Sequence, residues 1–349
     1  MSSKADIMFC TPGKLLIIAF TALLMYQCTE SVEELQDIGE PYFELRENYV
    51  IPDSLFLHNT SPRATAIDEN GTFYMSDFYG RRIIRTQPPF TKQNVVGGHG
   101  AGPAEYSTPI AMTASSGFLY YSDMNTPVVK SLKLQNDTVE SGQIIKVGSG
   151  ASKIKAGNGT LAIYKGFMHP PLKVYSIVEQ EPELLAEGMS IDERFEVAAM
   201  RIVSGGGIDI AKNGLIYAVH VAPFTIYVYD NRLELQNTFT INNPPGYEPF
   251  TKSLMRQAQS DEMQVWQEAL VSFSHINDLW GLEKQDGGED LLIRSRKPGN
   301  ASLYHLISTN GKLIHTFSSE KTLLTVDRRN VYFYRKQSGE MEEEKVSIQ

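Results

Sequence analysis

The side chains that could do chemistry are spread thinly along this chain. Seven histidines stand at 58, 99, 169, 220, 275, 305 and 315, and no two have the His-x-x-x-His spacing of a metal pair. His99, His169, His220 and His275 fall in four different stretches between strand-like segments, from which loops could still gather them around one ion. No Gly-x-Ser-x-Gly segment supplies a nucleophile elbow. Both cysteines, Cys10 and Cys28, lie at the start, so the remainder has no disulfide framework, thiol nucleophile or cysteine-based zinc site. Asp77 and Asp123 follow equivalent strand-like runs, a placement that suits turn caps better than catalytic carboxylates. Arg63, Lys165, Arg201, Arg294 and Arg335 sit at segment ends. Brought together, they would favour an anionic ligand such as a carboxylate or a uronic sugar. Kept apart, each would pair with a neighbouring Asp or Glu as a structural clamp.

The elements that must position these groups follow from one recurring stretch. Asp68-Glu69-Asn70-Gly71 runs into Thr72-Phe73-Tyr74-Met75-Ser76-Asp77, a tight turn feeding an apolar strand. Versions recur at Gly117, Gly159, Gly214, Gly287 and Asn330, with gaps of 46, 42, 55, 73 and 43 residues. The gap of 73 holds a helical stretch near 250–272; without it the spacing returns to about 45–50, that of a propeller blade. The sequence therefore predicts an all-β, six-bladed propeller of four-stranded antiparallel blades over 48–349. The predicted strands are 63–67, 72–76, 82–86 and 94–97 in the first blade and 110–114, 118–122, 128–134 and 143–147 in the second. They continue at 152–156, 161–164, 172–177 and 183–186, then 207–211, 215–219, 225–230 and 235–241. Blade five takes 279–284, 291–294, 302–307 and 312–317. The last blade has only 322–326, 331–334 and 344–348, one strand short. Part of residues 48–57 should complete it and remove two exposed sheet edges. Between blades four and five, Thr251 to about Ser272 reads as a helical excursion, with Ser260 capping its second piece and Met263, Trp266 and Leu270 on one face.

A chain of 349 residues that is 42% hydrophobic and 21% charged can bury a substantial core. Its net charge of −9 gives no support for nucleic-acid binding. The first 28 residues read as a signal peptide, with Lys4 and Lys14 ahead of the apolar run Leu15–Met25. Cys28 follows closely, the arrangement of a bacterial lipoprotein signal in which that cysteine carries lipid, although Met25-Tyr26-Gln27 lacks the usual small residues. An ordinary secretory signal or an uncleaved anchor are the alternatives. Residues 29–47 read as a tether, beginning with the acidic Glu30-Ser31-Val32-Glu33-Glu34.

After the first blade comes Gly97-Gly98-His99-Gly100-Ala101-Gly102-Pro103-Ala104-Glu105-Tyr106. No helix follows, and no Gly-Lys-Ser/Thr ending is present, so a phosphate loop is a poor fit. The glycines suit a tight crossing between blades that Glu105 and Tyr106 would pin. With Gly98, Gly100, Gly102, Pro103, Glu105 and Tyr106, this segment resembles the G-x-G-x-G-P-x-E-[FY] link of six-bladed propeller lipoproteins from Bacteroidetes, which are similar to TolB-like and NHL-type propellers. The resemblance implies a propeller at the bacterial envelope, lipid-anchored in the outer membrane or periplasm, and no common reaction. On a propeller, loops converge at the mouth of the central channel. The expected ligand contacts there are Arg63, His99, Glu105, Lys165, His169, Arg201, His220, Arg294 and Arg335. The leading expectation is a non-enzymatic binding or scaffold module for a glycan, peptide or partner protein, without a cofactor or bound metal. The rival is a metal-dependent propeller lyase or lactonase-type hydrolase.

Overall fold

In the computed structural model the turn-and-strand repeat builds an all-β propeller of four-stranded antiparallel blades with few helices. The structure describes residues 43–349 except 53–54, 57–61, 89, 91, 125, 136–138, 149–150, 167, 180, 190–204, 285–286, 299–300, 320–321, 338–339 and 349. The leader, Cys28, most of the tether and Arg201 lie outside the described residues.

Strand β1 (Phe43–Pro52) comes first and starts five residues ahead of the expected position 48, within the stretch read as tether. Phe43 and Leu45 alternate with Glu44, a pattern that suits a pleated strand. Five sheets then form from consecutive strands. The first holds β2 (Thr65–Ile67), β3 (Phe73–Asp77), β4 (Arg82–Thr86) and β5 (Gln93–Val96). A two-residue parallel pair, β6 (Gly98–His99) with β7 (Glu105–Tyr106), lies in the glycine-rich segment. The second sheet holds β8 (Pro109–Ser115), β9 (Phe118–Asp123), β10 (Val128–Leu134) and β11 (Val139–Lys146). The third holds β12 (Lys153–Gly157), β13 (Thr160–Tyr164), β14 (Leu172–Ser176) and β15 (Glu183–Gly188). The fourth holds β16 (Gly207–Ile210), β17 (Ile216–Val219), β18 (Thr225–Tyr229) and β19 (Leu235–Thr240).

Two helices follow, α1 (Lys252–Ala258) and α2 (Met263–Val271). Thr251 caps α1, its hydroxyl accepting from the Leu254 N–H. Ser260 does not cap α2. Glu262 holds that position without a side-chain cap bond, while the Ser260 hydroxyl accepts from the Glu262 N–H at 3.1 Å. The fifth sheet holds β20 (His275–Glu283), β21 (Glu289–Arg296), β22 (Ser302–Ser308) and β23 (Leu313–Ser318). A further four-stranded sheet joins β24 (Thr322–Val326), β25 (Asn330–Gln337) and β26 (Glu340–Ile348) to β1, which pairs antiparallel with β26 from Phe43–Ile348 to Pro52–Glu340. Among the described residues no helix is long and apolar enough to cross a membrane.

The turns explain why the strands are short. Asn158 and Gly159 take φ of +51° and +69°, the left-handed pair that closes a two-residue hairpin. Apolar side chains then pack between neighbouring sheets. One cluster joins the first two sheets through Tyr74, Ile83, Leu119 and Tyr121, and another joins the fourth and fifth through Val219, Ile226, Leu291 and Ile293. Phe73 and Met75 pack against Leu324 and Tyr332, which ties the first sheet to the β24–β26 sheet. There the Phe73 ring meets Tyr332 edge-on at 5.0 Å and Phe90 at 5.3 Å. With seams filled by large apolar groups, polar residues are left to the sheet margins and the central channel.

Candidate functional site

Among the described residues, strands β2, β8, β12, β16, β20 and β24, each at one edge of its four-stranded sheet, line one cavity of about 1450 Å³. Its wall is charged: Lys153, Lys155, Asp209, Asp278, Glu283 and Arg328 all line it. At the start of the inner strands, Asp278 stands between two cations. Lys153 pairs with its Oδ1, and the Arg294 Nη2 donates to its Oδ2 at 2.6 Å. The Arg294 guanidinium also lies over the Trp280 ring, 5.9 Å from the centroid. Arg63, Arg296, His275 and Asn277 line the same cavity. Burial lowers the Lys153 amine, with Asp278 opposing that shift. Burial, helped by Arg296, pushes His275 down to about 4 against the pull of the Phe273 carbonyl, so its ring is neutral at pH 7.

A one-residue bulge shapes this end. Register along β20 and β21 jumps between Ile276–Ser295 and Asp278–Arg294, leaving Asn277 as the extra residue. On β20 the residues lining the channel are His275 and Asn277 before the jump and Asp278, Trp280, Gly281 and Glu283 after it. The bulge falls between two lining residues, Asn277 and Asp278. Gly207 braces it. A Cβ on Gly207 would sit 2.4 Å from the Leu279 nitrogen and 2.7 Å from the Asp278 carbonyl carbon. Asn277 is 8% exposed, yet its Oδ1 has no hydrogen-bond partner among the described residues, and the same holds for Arg294 Nε.

Further along the channel the charges are matched. Lys155 pairs with Asp209 at 3.5 Å, and the Asp209 Oδ2 accepts from the Gly281 N–H at 2.6 Å. Glu283 meets Lys212, and Arg329 at 3.6 Å; the hydrogen bond from Lys212 is the main cause holding its carboxyl below the usual range. Arg328 reaches Glu289 at 3.3 Å and the Ile210 carbonyl at 2.7 Å. The mouth differs: among the described residues, Arg63, Lys153, Arg294 and Arg296 face one cavity-lining carboxylate, Asp278.

Of the residues expected at the channel mouth, Arg63 and Arg294 line the cavity. His220 does not. It is buried in the seam between the third and fourth sheets, its Nδ1 3.0 Å from the Tyr164 hydroxyl. Lys165 is buried away from the channel, donates to the Val147 carbonyl at 2.8 Å, and is drawn down to about 8 by burial and Lys173. It lines a separate recess of about 90 Å³ with the exposed His169. His99 is exposed on β6, outside the cavity lining. Arg335 belongs to β25, and its side chain lies outside the described set.

Glu105 turns into the glycine-rich loop, accepting from the Gly102 N–H at 2.7 Å. That loop is a built structural part. The Tyr106 hydroxyl donates to the Val96 carbonyl at 2.7 Å and accepts from the Ile83 N–H, while Lys130 donates to the Gly102 and Glu105 carbonyls at 2.8 and 2.7 Å. Asp77 accepts from the Gly80 N–H and pairs with Arg82; Asp123 accepts from the Ser107 and Thr108 N–H groups. Among the described residues, no three His, Cys, Asp or Glu side chains could together hold a metal ion.

Sequence reasoning missed Lys153, Asn277 and Asp278. One signal was available: Lys153-Ile154-Lys155 puts two cations into an expected inner strand, whereas Asn277 and Asp278 stood ahead of the strand expected at 279–284, which in the structure begins at His275.

No protein-family model matches the chain, and no curated protein matches it significantly. Solved structures match it along most of its length. A protein from Bacteroides fragilis assigned as exported superposes with a TM-score of 0.61 at 11% identity, covering 88% of this chain and 96% of its own. A member of the DUF4221 family from Bacteroides vulgatus superposes with a TM-score of 0.58 at 9% identity, covering 88% and 98%. At such identities the likeness shows the propeller fold alone. A virginiamycin B lyase from Staphylococcus aureus reaches a TM-score of 0.48 at 13% identity, covering 82% of this chain and 80% of its own, too low to carry any inference.

Proposed function

We propose that this chain is an exported binding module held at the bacterial envelope by lipid on Cys28. Its six four-stranded sheets act as blades of one ring, with β1 completing the last blade and α1 and α2 inserted between the fourth and fifth. The channel mouth takes a ligand, a glycan, peptide or protein segment, without a cofactor. The observation that carries this reading is the cavity of about 1450 Å³ to which every inner strand contributes and whose mouth concentrates cations in a chain of net charge −9. The signal-like leader and the exported neighbour support the location.

The test uses residues 29–349, purified and screened on glycan and peptide arrays, beside an Ile110→Trp variant that sets a large ring into the channel wall. Binding by the natural chain that falls at least tenfold in the variant is expected. Equal binding by both proteins would remove the channel from the reading. In cells, palmitate should label the full chain and not a Cys28→Ala variant; label on both would remove the anchor.

A further inference from the structure

We propose that the channel mouth recognises a hydroxy-carboxylate, the group that a uronic acid residue presents, through Arg294, Arg296 and Asn277. This rests on the channel being the binding site and names what it binds. Three observations lead there. Among the described mouth residues cations outnumber carboxylates, since Arg63, Lys153, Arg294 and Arg296 face Asp278. Arg294 has spent one arm on Asp278 and keeps its Nε–H without a partner, a donor that calls for an acceptor oxygen. Asn277 keeps its Oδ1 without a partner although the residue is 8% exposed, an acceptor that calls for a donor.

The bulge makes the two residues neighbours in the ladder. Arg294 is the register partner of Asp278, and Asn277 is the next residue along β20. A single small group can therefore meet both. Simple oxyanions such as sulfate supply acceptors only and leave Asn277 unmatched. A neutral sugar supplies both kinds of hydrogen bond and makes no use of the surplus charge. A carboxylate with a hydroxyl beside it satisfies every term. The hydroxyl can also accept or donate, which suits the neutral His275 ring two residues before Asn277, opposite Arg296. An amide N–H only donates, so a peptide carboxylate fits less well.

Calorimetric titration of residues 29–349 with D-galacturonic acid, trigalacturonic acid, galactose, galactotriose, sulfate and the tripeptide Gly-Gly-Ala tests the assignment. The acidic sugars should bind at least tenfold more tightly than their neutral counterparts, sulfate and the tripeptide. The monomer and trimer arms tell a free sugar acid from one embedded in a glycan. Arg294→Met and Asn277→Ala should each weaken acidic-sugar binding at least tenfold while melting within a few degrees of the natural chain. Should either unfold, Arg296→Met provides the second variant, with the same expected loss. Equal binding of neutral and acidic sugars, unaffected by Arg294→Met, would overturn the assignment and leave the channel reading intact. So would preferential binding of the tripeptide, or no binding of either acidic sugar while Ile110→Trp still abolishes binding to an array ligand. If no ligand responds to Ile110→Trp, both fall.

Discussion

His305 should make this protein lose stability in mild acid by a calculable amount. The ring is fully buried between Ser295 and Thr316, whose hydroxyls lie 2.8 and 3.1 Å from its nitrogens, and Phe224 closes over it edge-on at 5.0 Å. Burial, aided by the charge of Lys297, pushes it down to about 3 from the ordinary 6.5. The unfolded imidazole therefore takes up a proton below pH 6.5, while the folded one stays neutral until about pH 3. Unfolding consumes a proton throughout that window, so stability falls as pH falls through it. At pH 5 the linkage comes to about 2 kcal/mol relative to pH 7.5, and it changes little if the folded value is 4 instead of 3. His305→Gln keeps a hydrogen-bonding side chain and removes the titration. Urea unfolding followed by tryptophan fluorescence at pH 7.5 and 5.0 gives the acid-induced loss for each protein. The variant should lose about 2 kcal/mol less than the natural chain, other titrating groups being common to both. An identical loss in both would mean that the ring charges freely in the folded state, and the buried geometry would be refuted.

Three further perturbations address other parts. Lys130→Met strips the cation from the Gly102 and Glu105 carbonyls and should cost about 2 kcal/mol in urea unfolding; no change would mean that the glycine-rich loop stands without it. Gly71 and Gly97 share a φ of +74°, but a Cβ on Gly71 meets nothing within 4 Å, while one on Gly97 would lie 2.8 Å from the Ala104 carbonyl oxygen and the Tyr106 ring. Gly71→Ala should cost about 1 kcal/mol and Gly97→Ala at least about twice that, and equal losses would exclude the close crossing. Gly207→Ala should move the bulge at Asn277 and weaken acidic-sugar binding at least tenfold with the chain still folded; unchanged binding would detach the bulge from recognition.

The strands were legible because two local signals agree in each repeat. A Gly or Asn turn fixes where a strand begins, and a run such as Phe73–Asp77 or Leu161–Tyr164 shows that it is buried. Side-chain direction was not legible, since it depends on the phase of the pleat and on bulges that leave no mark in composition. His220 and Arg294 both stand at or near strand ends beside turn residues, yet one enters a seam toward Tyr164 and the other enters the channel. Lys130 looked like an ordinary strand cation; its partners lie 25 to 29 residues away, in a loop whose path only the folded chain defines. Strand β1 began earlier than expected because Phe43-Glu44-Leu45 has the right alternation but no turn residue to announce it.

The extra residue in β20 divides one strand into two independently set halves. Residues 278–283 hold an unbroken register with β21, and the ion pairs deeper in the channel, Asp209 with Lys155 beside Gly281 and Glu283 with Lys212, hang on that half. His275 lies beyond the bulge, paired with Arg296, and Asn277 is the residue between the two halves. Deleting Asn277 would close the ladder straight from Ile276 to Asp278 and leave the paired run below it in place. Selection, or a protein engineer, could thus retune the entrance by adding or removing a single residue while the shaft beneath kept its lining.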